Sequence, residues 1–205
     1  MSIKSKYNLY VKGKNEKYDI EQIISKLPDN STITKQVLEK INNKTTKMIC
    51  DEDIKGNYYV FLNDTIYLSS KNTNKYNRLT VICHECIHSI QNKIMQWINF
   101  ILSNLEIIIF IIFSILKLLN IFENILTYTY IGFVIVSIIP RFILEIHASL
   151  KSIRYTMEYV SEKIGNEEAK FVNKIVKFQV TSLLPVMLFT LCFWKIIRIL
   201  ILCII

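Results

Sequence analysis

The chain has 205 residues, 51% of them hydrophobic, and a net charge of +8. The lysines are scattered among Asp and Glu with no Arg-rich stripe or aromatic RNA-binding signature, which argues against a nucleic-acid partner. Five cysteines, an odd number with two in apolar runs, argue against a disulfide framework.

The polar and apolar residues separate along the chain. Up to about residue 91 the sequence is rich in Lys, Asn and Asp; from Trp97 onward long apolar runs dominate. Met1–Gln22 has no apolar core of the signal-peptide kind, so insertion is expected to use internal segments. Within the polar part, Asp19–Leu27 has helical apolar spacing and stops at Pro28. A second helix is expected through Lys35, Val37, Leu38 and Ile41, capped by Ser31 or Thr32. Asn57–Leu62 and Thr65–Leu68 are β-branched and aromatic runs around Asn63-Asp64, the pattern of a hairpin. Asn77 to about Met95 is expected to be one helix.

Three apolar segments follow. Ile98–Leu119 is long enough for a bilayer core of about 30 Å. Ile121–Ile139 is the second, with Pro140-Arg141 at its exit, and the two should form a tight hairpin. Arg141–Gln179 is then an amphipathic helical stretch with a break at Gly165-Asn166. Thr181–Ile205 is the third, interrupted by Lys195 and Arg198, and its full crossing is left open. The expected fold class is an α+β zincin-like N-terminal domain joined to a helical membrane region of two or three transmembrane helices. Its segments are 1–97, the membrane hairpin 98–140, a cytoplasmic helical segment 141–180 and the last apolar segment 181–205. Both polar segments carry more Lys and Arg than Asp and Glu, which places them in the cytoplasm and makes the chain a multi-pass protein of the cell membrane.

His84-Glu85-Cys86-Ile87-His88 carries the chemistry. On a helix it sets two imidazoles one turn apart on one face with a carboxylate beside the first. That arrangement suits one Zn²⁺ ion with an open position, whose bound water ionises near pH ~7. His84 and His88 are then metal ligands, and Glu85 is the group that takes and returns the proton. The alternative is an ordinary amphipathic helix, disfavoured because the chain spends two of its three histidines here.

A third ligand has two candidates, Glu145 and His147. Residues two apart on a helix point about 200° apart, so only one can face the metal. Glu145 is preferred because Ala148 and Ser149 leave a small surface beside it. Cys83 and Cys86 spell a C-x-x-C, but their shared direction lies roughly 150° from the histidines. They are expected to pack as small apolar residues. Asn99, Ser103 and Glu106 share a face of the first apolar segment, and an ionisable residue at that depth is a functional candidate. Arg154, Tyr155 and Tyr159 are candidates for oxyanion contacts, with packing as the plainer role. The hairpin could likewise offer an edge strand to a peptide.

Residues 84–91, HECIHSIQ, resemble the H-E-x-x-H-A-x-Q of the bacterial neutral zinc metallopeptidases, a membrane-bound zincin family. Tyr67-Leu68-Ser69-Ser70 is similar to that family's strand ending in Leu-Ser. Glu145-Ile146-His147-Ala148-Ser149 resembles its downstream E-x-x-A-S, and also the E-x-x-A-D of the heat-shock and prenyl-protein membrane proteases. The resemblance spans roughly 57–154 and implies Glu145 as the third zinc ligand, a peptide or protein substrate and a bilayer-embedded chain. Ser89 stands where the family has Ala, and the family's N-terminal membrane helix has no counterpart. An intramembrane protease is disfavoured because Lys75, Arg78 and Lys93 flank a motif helix too short to span. A non-enzymatic membrane protein with a structural metal is the remaining alternative.

Overall fold

The computed structural model describes residues 17–71, 77–121 and 123–205. The stretch up to residue 16, and Lys75 before the motif helix, lie outside the described residues. The chain divides into two compact units: one of residues up to 91 together with 147–183, the other of 92–146 together with 184–205.

The first unit is α+β. Helix α1 (Ile20–Ser25) starts at Asp19, whose side chain accepts from the Glu21 N–H. Helix α2 (Asn30–Lys40) is capped by Asp29, not by Ser31 or Thr32: its carboxylate accepts from the Thr32 N–H at 2.7 Å and from the Ser31 hydroxyl. These donors hold the Asp29 carboxyl below its usual range. Its Ala variant should lose about 1 kcal/mol of the cap. Asn42, at φ 55, ends α2 in the left-handed conformation, with Asn43 N–H returning to Leu38 O.

Three strands follow, β1 (Lys47–Asp51), β2 (Tyr58–Val60) and β3 (Thr65–Ser69), in the order β1-β3-β2. The expected hairpin is β2 antiparallel to β3, pairing Tyr59 with Ile66; β1 is an addition, parallel to β3. Asp64, at φ 49 in the turn, accepts from the hydroxyls of Tyr59 and Thr46, and so ties the turn to the loop before β1.

Helix α3 (Arg78–Ser89) carries the motif. Ile82, Cys83, Cys86 and Ile87 are wholly buried on it, and all but Ile87 belong to one core with Ile33, Val37, Ile66 and Leu68. Burying an aliphatic side chain of this size contributes about 1.5–3 kcal/mol. The core also takes in Tyr159, Val160, Val172 and Ile175 from far along the chain. Arg78 is 2% exposed rather than a flanking surface charge. Its guanidinium donates to the carbonyls of Ile24, Leu27 and Pro28 and to Asn30 Oδ1.

The second unit is helical. The expected helix over 77–95 is in fact two, because the chain breaks after Ser89 and Asn92 caps α4 (Lys93–Leu118) by accepting from Ile94 and Met95 N–H. A tight turn follows, in which Asn120 at φ 57 and Ile121 close back on Lys117 O and Leu116 O. Helix α5 (Glu123–Lys163) runs through Pro140 without ending. Helix α6 (Asn166–Ile204) begins at the expected break beside Gly165. Helices α4, α5 and α6 are each long and apolar enough to cross a membrane. On α4, Ile101, Leu105, Ile108, Ile112 and Ile115 are exposed, more contiguous apolar surface than a water-facing helix presents.

Candidate metal centre

Helix α3 presents His84 and His88 on one face, as residues four apart must be. Their Nε2 atoms lie 2.9 Å apart and the rings meet edge to face at 82°. Two Zn–N bonds of about 2.05 Å at a tetrahedral angle would set the nitrogens about 3.3 Å apart. The observed separation is a few tenths of an ångström short of that spacing.

The tautomer needed for ligation is built in. Gln91, three residues on and 6% exposed, has its Oε1 at 2.8 Å from His88 Nδ1. A carbonyl oxygen only accepts, so Nδ1 holds the proton and Nε2 keeps its lone pair for a metal. The Gln91 amide then donates to His147 Nδ1 at 3.1 Å. This gives His147 a supporting place, through Gln91, and leaves Glu145 as the third member of the group.

His84, His88 and Glu145 each offer a ligand atom, all within 4.8 Å of one another. Glu145 sits two residues before His147 on the same unbroken helix, where the two units divide. It is 6% exposed and pairs with Arg141 at 2.8 Å. Two imidazoles and a carboxylate are donor types that could hold a metal ion. Replacing Gln91 by Leu removes the oxygen that fixes His88 and should weaken zinc binding 10–100-fold, read by competition against a chelator. Unchanged affinity would remove Gln91 from the site.

Glu85 lies beside the histidines, and its Oε2 accepts from the Tyr59 N–H at 2.8 Å. That bond ties the motif helix to β2 and uses the Tyr59 N–H, so β2 has no such donor for a peptide strand at this position. Cys83 and Cys86 point into the core, as the helical angle requires. Burial pushes the Cys83 thiol up to about 12 and raises Cys86 well above the ordinary thiol range. Both side chains are wholly buried in the core cluster, as small apolar residues pack.

Other singled-out residues have structural places. Tyr159 is 2% exposed and donates to Gln36 Oε1, and Arg154 pairs with Glu158 at 2.8 Å. Glu106 lies in the second unit and is fully engaged there. The role of Gln91 was missed, although an amide three residues after a histidine at a helix end is a readable signal.

No protein-family model matches the chain, and neither does any curated protein or any solved structure.

Proposed function

We propose that the protein is a membrane-embedded zinc metallopeptidase with its active site on the cytoplasmic side. The observation that carries this reading is the grouping of His84, His88 and Glu145, with Glu85 next to it and His88 held in the ligating tautomer. The zincin likeness of the first unit belongs to the same proposal, supported by the motif helix lying against a small sheet whose strand β2 anchors Glu85.

His84, His88 and Glu145 would hold the ion. When bound, zinc polarises the substrate carbonyl and lowers the pKa of water in its open position. Glu85 removes the proton of the attacking water as the C–O bond forms. It then delivers that proton to the amide nitrogen as the C–N bond breaks, so the amine leaves neutral and Glu85 is again a carboxylate. Tyr59 N–H steadies the carboxylate through both transfers. Gln91 keeps the His88 lone pair on the ion, and His147 steadies Gln91.

Placement in a bilayer is supported by three helices of sufficient length and apolarity. The excess of Lys and Arg in the polar segments favours the cytoplasmic side for both. The substrate class is a peptide or protein reached from that side.

The test is a fluorogenic peptide library with protein purified in detergent. Cleavage should disappear on chelation and return with one equivalent of zinc. Cleavage that persists after metal removal, or no cleavage in the zinc-loaded protein with any peptide, would refute the reading.

A further inference from the structure

We propose that Glu106 is the insertion lock of helix α6, so that α6 crosses the bilayer fully only when paired with the α4–α5 hairpin. The proposal rests on the membrane placement above and not on the metal chemistry.

The apolar part of α6 contains two cations, Lys195 and Arg198, in the middle of a run that is otherwise apolar. Charges at such depth are costly and turn inward toward partners. Both meet one carboxylate. Glu106 is 1% exposed and sits midway along α4. Arg198 grips it with two bonds, Nε to Oε1 at 3.0 Å and Nη2 to Oε2 at 2.8 Å. Lys195 Nζ donates to Oε2 at 2.9 Å and to Ser137 Oγ at 3.0 Å. The Tyr130 hydroxyl donates to Oε1.

Three bonds from α6 side chains, one to Oε1 and two to Oε2, with the Tyr130 hydroxyl on Oε1, fill the four acceptor positions of an ionised carboxylate. A filled carboxylate is a poor proton relay and a good anchor. The bidentate fork also fixes the rotation of α6 about its axis. Tyr130, Val134 and Leu202 form the apolar packing beside it, with Phe110 and Ile199 against them.

A second contact fixes the depth of α6. Lys117, in the last turn of α4, donates to Leu202 O in the last turn of α6, and also to Thr127 Oγ1 at 3.2 Å. Carbonyls in a helix's last turn lack partners within the helix. In lipid such a group must be satisfied by protein. The last turn of α6 is thus pinned at the hairpin-turn end of this unit, as expected for a helix that crosses in full. Without Glu106, α6 would enter the bilayer with two unpaired cations.

Cys203, which is exposed, reports the outcome. In full-length protein with Cys50 and Cys192 changed to Ser, Cys203 is labelled by a membrane-impermeant maleimide in sealed vesicles. Lys93→Cys and Leu119→Cys, each made with Cys203→Ser, mark the two faces. The Cys203 thiol should label from the Leu119→Cys face. With Glu106→Leu, at least half of the molecules should label from the Lys93→Cys face. Adding Lys195→Leu and Arg198→Leu should return Cys203 to the first face.

Protein extracted from membranes by alkaline carbonate would refute the membrane placement itself. Integral protein whose Cys203 labels from the Lys93→Cys face in the unsubstituted background would overturn the lock. So would Cys203 that does not move in Glu106→Leu. If Glu106→Leu is degraded, the triple variant decides: the Leu119→Cys face supports the lock, and the Lys93→Cys face overturns it.

Discussion

Glu85→Gln should bind zinc as the unsubstituted protein does and lose peptide cleavage by about 10²–10⁴-fold, the size of a general acid–base contribution. Gln keeps an oxygen that can accept the Tyr59 N–H, so the link between α3 and β2 survives. His84 and His88 are untouched. Only the ability to hold a proton is removed. Kinetics on the peptide library, paired with metal content, separates this outcome from a structural metal site. Cleavage undiminished in the variant would show that Glu85 is not the proton carrier.

Arg78→Leu should destabilise the first unit by about 3–5 kcal/mol. One guanidinium serves the carbonyls of Ile24, Leu27 and Pro28 and the Asn30 amide oxygen, joining the end of α1 to the start of α2. Each acceptor left buried without a donor costs about 1–3 kcal/mol, and local relaxation recovers part of the sum. Cys83 and Cys86 lie in the same core and report opening of the unit. Thiol labelling at pH 8 should accelerate about 10²–10⁴-fold, following ~1.4 kcal/mol per tenfold change in the open population. Acceleration below threefold would mean that Arg78 is dispensable to the fold.

What the sequence reveals depends on how local the deciding interactions are. The His84, Glu85, His88 placement follows from helical periodicity alone, and so does the separation of the two cysteines from that face. The ends of α5 and α6 at Gly165-Asn166 follow from a local breaker. The cap of α2 is also local, yet the obvious hydroxyls of Ser31 and Thr32 hide the better acceptor, Asp29, which bonds both residues. The break between α3 and α4 is masked because apolar spacing runs on through it, while the Asn92 cap decides the boundary.

Strand β1 was not legible for a different reason. All five of its residues are exposed, so it carries no alternation of apolar and polar side chains. It exists because β3 offers a parallel partner, beginning with Lys47 against Thr65. The same is true of Glu106, Lys195 and Arg198. Each reads as an odd charge in an apolar run, and only the folded chain joins residues 92 apart in sequence into one ion-pair cluster. The place of His147 likewise depends on Gln91, which lies 56 residues away.

The central claim is a zinc ion held by His84, His88 and Glu145, and X-ray absorption at the zinc edge on the purified full-length protein tests it most directly. The account predicts one zinc per chain with a nitrogen/oxygen shell at about 2.0–2.1 Å, a two-imidazole signature and no sulfur. In Glu145→Gln zinc affinity should fall while both imidazoles remain in the shell. A sulfur shell near 2.3 Å, or protein that takes up no zinc, would contradict it.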